Sequence, residues 1–180
     1  MSVHLTYFVH GTTTDNEQKI SSGWKDVGLS DLGVQQSKAL RETVKDKKFD
    51  AVFCSDLKRA VQSAAIAFSG LAPIIPDARL RERNYGKYNG QPSAIVEPLE
   101  SKYIAEPFPD GESFEEVKKR MADWLEFLKK NYRGKKVAAL AHKAPQLALE
   151  VLLKNKTWPQ ALAEDWRKTR AWQAGWEYEC

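Results

Sequence analysis

The chain is 180 residues long, and its 28 Lys+Arg against 24 Asp+Glu give a formal charge of +4 and a pI near 9.0. With 42% hydrophobic and 11% aromatic residues it carries enough apolar surface to bury one core without disulfide staples, which excludes an intrinsically disordered chain. No stretch approaches the roughly 20 apolar residues of a membrane span, so no membrane partner is expected. The start, Met1-Ser2-Val3-His4-Leu5-Thr6, lacks the basic and apolar regions of a signal peptide. Cys54 lies in an apolar run and Cys180 ends the chain, so a reduced, cytoplasmic compartment is expected. The basic residues are dispersed, and the densest cluster, Lys45-Asp46-Lys47-Lys48, is broken by an acid. That dispersal argues against a nucleic-acid partner and leaves a small anionic substrate as the use for a basic excess.

Leu5 to Val9 is a nearly unbroken apolar run, the pattern of a strand buried on both faces of a parallel sheet. Ser30 caps a predicted helix to about Asp46, with Leu32, Gln36, Leu40 and Val44 spaced four apart. Ala51 to Cys54 reads as a second buried strand, followed by a helix capped by Ser55 and running through Phe68. Ile74-Ile75, between two prolines, is a short further strand. Residues 84–112 break the rhythm with Gly86, Gly90, Pro92, Pro98, Pro107, Pro109 and Gly111, and read as a lid-like insertion. Ser113-Phe114-Glu115-Glu116 has the form of a capping box opening a helix to about Lys130, with Val117, Met121, Trp124, Leu125 and Leu128 on one face. Val137 to Ala141 is another buried strand, and Trp172 to Tyr178 alternates like an edge strand. The recurrence of strand and helix predicts one α/β domain over residues 1–180, a three-layer sandwich with a mostly parallel central sheet flanked by helices.

Only three histidines are present, and two of them, His10 and His142, directly follow predicted buried strands. In open α/β sheets ligands bind outside the carboxyl ends of the strands, so both imidazoles arrive at one rim. His4 enters the first strand at its far end and is assigned a structural role. Metal-ligand spacing is lacking around His10, His142 and the cysteines, and no Walker lysine or GxGxxG motif is present, so no metal or cofactor is expected.

The ordered segments resemble the histidine phosphatase superfamily, that of the phosphoglycerate mutases. They are His10 to Glu17, Gly23-Trp24-Lys25-Asp26 with Leu29-Ser30-Gly33, Ser55 to Ala64, Leu80-Arg81-Glu82 with Gly86 and Gly90, Gly111-Glu112-Ser113, and Val137 to His142. The resemblance spans roughly residues 3–153 and implies a phosphoglycerate mutase-like fold. By this resemblance His10 matches the nucleophile that becomes a phosphohistidine, Arg59 the phosphate-binding arginine, and His142 the second rim histidine that donates to the phosphoryl group. Asn16 matches a neutral donor, and Glu82 the acid that protonates the leaving alcohol and then activates water. Gly11 and Thr13 are further candidate phosphate donors. The bland alternatives are an exposed helix arginine for Arg59 and, for Glu82, a surface carboxylate balanced by Arg81 and Arg83.

Three departures stand out. Val9 occupies the position of the family's arginine before the nucleophile, Thr12 that of a glutamate or glutamine two positions after it, and Lys143 that of a glycine after the second histidine. Losing one preorganised cation beside a developing phosphoryl charge typically costs about a hundred- to thousandfold in rate. Lys143 is therefore a candidate phosphate ligand that replaces part of the missing charge, the alternative being a solvated lysine at a helix start.

The leading reading is metal-independent hydrolysis of a small phosphorylated metabolite through a phosphohistidine on His10. The alternatives are mutase-type phosphate transfer and a weakly active or noncatalytic phospho-ligand-binding module. The C-terminal segment holds Trp158, Trp166, Trp172 and Trp176, four of the six tryptophans. It is expected to pack as a helix and a strand on the sheet, with a homodimer patch or a substrate-pocket wall as the other readings. Tyr85, Tyr88, Tyr103 and Phe108 either touch substrate or pin the insertion.

Overall fold

The computed structural model describes residues 2–169 and 175–180. Its first half comprises β1 (His4–Val9), α1 (Thr14–Glu17), β2 (Ile20–Ser21), α2 (Asp31–Val44), β3 (Ala51–Cys54), α3 (Lys58–Phe68) and β4 (Ile74–Pro76). Then follow β5 (Gln91–Pro92), α4 (Ser93–Val96), α5 (Phe114–Asn131), β6 (Lys136–Ala141), α6 (Lys143–Leu153), α7 (Trp158–Ala163), α8 (Trp166–Thr169) and β7 (Trp176–Glu179).

The main sheet runs β4-β3-β6-β1-β7, parallel except for β7, which pairs antiparallel with β1 at the edge. Strand alternation explains why the central runs are unbroken. Val137, Ala139 and Ala141 of β6 face one core with Leu5 and Tyr7, packed under α5 and α6. Ala138 and Leu140 face a second core with Phe8, Val52 and Cys54, packed under α2 and α3. With helices on both faces the central positions of these strands are nearly all apolar, and the expected three-layer arrangement follows. No helix among the described residues is long and apolar enough to cross a membrane.

The helix signals act largely as expected. Ser30 caps α2 through the Gly33 N–H, and Ser113 and Glu116 close a reciprocal capping box on α5. Val117, Met121, Trp124, Leu125 and Leu128 are all buried, and Phe53 packs edge-on against Trp124 at 5.8 Å. The helix expected to start at Ser55 instead begins at Lys58, with extended Leu57 as its cap. The reason is a remote carboxylate: Asp26 Oδ1 accepts the Lys58 N–H at 2.7 Å, while the Ser55 hydroxyl accepts only from Leu57.

Residues 84–112 are not empty loop. Tyr85, Val96 and Phe108 form a small core of their own, with Tyr88, Leu99 and Tyr103 packed on it, and the Tyr103 and Phe108 rings lie 4.2 Å apart. These aromatics pin the segment to itself. In the C-terminal segment Trp158 stacks on Phe114 at 4.7 Å and Trp166 contacts Trp176 at 5.8 Å. Trp172, and with it the expected start of the edge strand, lies outside the described residues; the strand itself spans Trp176–Glu179.

Candidate active site

Val9 of β1 pairs with Ala141 of β6 at the end of the ladder, so the next residue on one strand and its counterpart on the other leave the sheet side by side. The His10 and His142 rings accordingly lie with centroids 4.9 Å apart. His4 stands at the opposite end of β1, half exposed, with Nδ1 3.2 Å from Glu179.

Each imidazole is set by its surroundings. His10 Nδ1 is 2.7 Å from the Gly11 carbonyl, which can only accept, so Nδ1 carries the proton and Nε2 keeps a lone pair. Burial, then the Arg59 charge, pushes the His10 pKa down to about 3, so the ring is neutral at ordinary pH. His142 is fully buried and N-caps α6 through its backbone without a side-chain cap bond. Its pKa is held well below the usual imidazole value by burial, then by Arg59 and His10. Neither of its ring nitrogens has a hydrogen-bond partner among the described residues. Two buried polar atoms left open at a cleft are what a ligand-binding group looks like before its ligand arrives. The His142 backbone, by contrast, is clamped: the buried Tyr7 hydroxyl donates to its carbonyl at 2.7 Å and accepts its N–H at 3.0 Å.

The approach of the His10 loop depends on two glycines. A Cβ on Gly11 would lie 2.4 Å from the Gly33 carbonyl, and one on Gly33 would lie 2.0 Å from the Thr12 carbonyl. The loop thus rests backbone to backbone on the first turn of α2. Ser63 from α3 supports it, accepting the Gly11 N–H at 3.0 Å.

Glu82 is buried, and its partners are not Arg81 and Arg83 side chains. Oε1 accepts the backbone N–H groups of Arg83 at 2.8 Å and Ala144 at 3.1 Å. The carboxylate therefore caps the first turn of α6, directly beside His142. Arg81 pairs instead with Asp56. Arg59 is buried rather than an exposed helix residue, donating from Nη1 to the Lys25 carbonyl at 3.1 Å and from Nη2 to the Gly23 carbonyl at 2.7 Å. Asn16 and Thr13 form a capping box on α1, which occupies the Asn16 Oδ1 and leaves its NH2 group as the donor. The Gly11 and Thr13 N–H groups are both engaged within the protein, by Ser63 and Asn16.

Lys143 is not a solvated lysine at a helix start. It is 4% exposed, with Nζ 2.5 Å from Glu100 Oε1 and 3.8 Å from Asp165 Oδ2. Arg83, fully buried with its guanidinium 3.6 Å from the Phe114 ring centroid, approaches the same Glu100 oxygen at 3.6 Å.

A cleft of about 1020 Å³ is lined by His10, Asn16, Glu82, His142 and Lys143, closed on one side by Pro92, Ser93, Ala94 and Glu97 of the 84–112 segment. It is also bounded by Trp166, one of the C-terminal tryptophans read as a candidate pocket wall, and by Arg167 and Lys168, which the sequence patterns did not single out. A smaller, more apolar groove of about 530 Å³ meets it at His10, over Leu40 of α2. The polar cleft is the one that holds Glu82 and His142 with His10, and it is the candidate active site.

A family model described as the histidine phosphatase superfamily (branch 1) matches residues 7–176. The chain belongs to the histidine phosphatase superfamily. An uncharacterized phosphatase, PhoE, of Bacillus subtilis (strain 168) is 34% identical over 141 residues, covering 78% of this chain and 72% of the relative. A 2,3-bisphosphoglycerate-dependent phosphoglycerate mutase of Allorhizobium ampelinum is 31% identical over 182 residues, covering 91% and 85%. Among solved structures, a mycobacterial glucosyl-3-phosphoglycerate phosphatase complexed with VO3 superposes with a TM-score of 0.78 at 26% identity, covering 89% of this chain and 86% of that one. The chain spans only 49% of one fructose-2,6-bisphosphatase that it also matches. As a histidine phosphatase superfamily member it has the fold its sequence suggested, a phosphoglycerate mutase-like α/β sandwich.

Proposed function

We propose that this chain hydrolyses small, polar phosphate monoesters through a phosphohistidine on His10. The single observation that carries this reading is the His10 imidazole: partly buried, neutral, its Nδ1 proton spent on the Gly11 carbonyl and Nε2 left as a nucleophile. Nε2 attacks phosphorus, the bond to the ester oxygen breaks, and the departing oxygen takes the proton of the Glu82 carboxyl group. Glu82, now a carboxylate, takes a proton from water as the water oxygen attacks phosphorus. The N–P bond breaks, its electrons return to Nε2, and phosphate leaves. His142, with no protein partner for its ring nitrogens among the described residues, donates to a phosphoryl oxygen. Asn16 adds a neutral donor, and Arg59 supplies a positive charge felt by both rings.

A cleft of about 1020 Å³ exceeds what one phosphate fills, so the remainder receives the leaving group. Its walls beyond the histidines, Gln18, Lys19, Ser93 and Glu97, fit a hydroxyl-rich or charged group better than an apolar tail. The reading uses no metal, so hydrolysis of an aryl phosphate should survive a chelator and fall by at least about a thousandfold in His10→Ala. Turnover that the chelator abolishes, or that His10→Ala retains, would overturn it.

A further inference from the structure

If Val9 leaves the phosphoryl group one cation short, the structure offers several candidates to supply it, and most are committed. Lys143 lines the cleft, but its ammonium faces Glu100 at 2.5 Å. The Lys168 ammonium donates to the Leu162 carbonyl at 3.1 Å. Lys19 stands exposed at the mouth. Arg167 differs from all three. It lines the same cleft as His10, Glu82 and His142, and its side chain is 38% exposed. Its carboxylate contacts are long for hydrogen bonds, 3.4 Å to Glu97 and 3.6 Å to Asp165. Glu97 itself is 44% exposed, so this pairing is weak and exchangeable. The residue is nonetheless well placed, because the Arg167 N–H donates to Asp165 Oδ1 at 2.9 Å and the adjoining Trp166 packs on Trp176. Its charge is also among those that keep the His10 ring neutral.

We propose that Arg167, brought in by α8 from the C-terminal segment, is a second guanidinium of the phosphoryl site, answering from the cleft wall the charge that Val9 does not. A planar fork backed by the buried Asp165 and held on its outer edge by the exposed Glu97 can exchange Glu97 for phosphoryl oxygens, which a lysine's point charge cannot match. The inference rests on the phosphatase reading, and inorganic phosphate separates the two because it needs no turnover.

The experiment measures inorganic phosphate affinity by calorimetry, together with aryl phosphate turnover, in wild type, Arg167→Ala, Arg167→Lys, Glu97→Gln and Arg167→Ala/Val9→Arg. Arg167→Ala should weaken phosphate binding by about 10- to 100-fold and lower turnover by about a hundredfold or more. Arg167→Lys should recover only part of either. Glu97→Gln breaks the resting ion pair but keeps the guanidinium, so phosphate affinity should rise. Arginine at position 9 should restore much of what Arg167→Ala loses. If Arg167 only anchors α8, Glu97→Gln will be as damaging as Arg167→Ala and arginine at position 9 will not rescue, and the proposal falls. It falls equally if Arg167→Ala binds phosphate like wild type. A wild-type chain that neither binds phosphate nor hydrolyses the ester overturns the phosphatase reading itself.

Discussion

Around the junction of β6 and α6 two clusters of buried polar groups lie side by side. In one, His10 and His142 face a cleft, both ring nitrogens of His142 are left without protein partners among the described residues, and His142 is neutral because burial forbids the charge. In the other, Arg83, Glu100, Lys143 and Asp165 meet as charges, and the carboxyl of Glu100, which burial alone would raise, is held below its usual range by Lys143 and Arg83. The contrast separates two uses of buried polarity. Groups paired charge to charge fasten the 84–112 segment and the C-terminal segment to the first turn of α6, even though Arg83 Nε and Nη2 and Glu100 Oε2 make no hydrogen bond among the described residues, whereas the uncharged ring of His142, left open at a cleft, is kept for a ligand. Adjacent residues, His142 and Lys143, fall on opposite sides of that line.

The largest effect expected tests the closed cluster. Lys143→Ala leaves Glu100 buried beside one distant arginine, and breaking such a pair typically costs about 3–5 kcal/mol. Urea unfolding should show this loss, and Lys143→Met/Glu100→Leu should recover most of it. If Lys143→Ala instead weakened phosphate binding at unchanged stability, the lysine would belong to the open cluster. The next prediction tests the open side. His142→Leu removes an unsatisfied imidazole, so the unfolding free energy from urea titration should hold or rise by about 1 kcal/mol, while aryl phosphate turnover falls by about a hundredfold or more. A clear loss of stability would show that His142 is structural after all.

Much of this was legible in the sequence, for a physical reason. Strands buried on both faces are almost wholly apolar, so Leu5 to Val9, broken only by Thr6, and Val137 to Ala141 could be read directly, and with them the rim where His10 and His142 emerge. Capping by Ser30 and Ser113 is local chemistry and was equally readable. The start of α3 was not, because its cap comes from Asp26, over thirty residues away in sequence. The ion pair of Lys143 was hidden for the same reason: Glu100 sits in a segment rich in Gly and Pro, where no periodicity announces a buried acid. Trp166 was among the tryptophans read as a candidate pocket wall, but Arg167 was missed because a short C-terminal helix carries no motif.

Two smaller effects sharpen the contrast further. Gly33→Ala should cost about 1–3 kcal/mol, since its Cβ would lie 2.0 Å from the Thr12 carbonyl and must push the His10 loop away. Turnover should fall more than phosphate affinity, as the nucleophile is displaced while the far wall stays. Acid provides the last test. The His10 pKa is near 6.5 unfolded and about 3 folded, so between those values the unfolded chain binds more protons and stability falls as pH drops. Above that window His10 contributes no slope. At pH 5.5 the loss from His10 alone should be about 1.4 kcal/mol, and the His10→Asn variant should lose correspondingly less between pH 7 and 5.5.

The Tyr7 hydroxyl grips both backbone groups of His142 from a fully buried position in β1. Amides at the end of a strand ordinarily exchange with solvent through small local openings. The His142 amide cannot open that way without withdrawing a tyrosine from the core, so its proton should be among the last to exchange with deuterium. Its exchange rate then reports global unfolding from a position at the heart of the chemistry, and Tyr7→Phe should turn the same proton into a fast one.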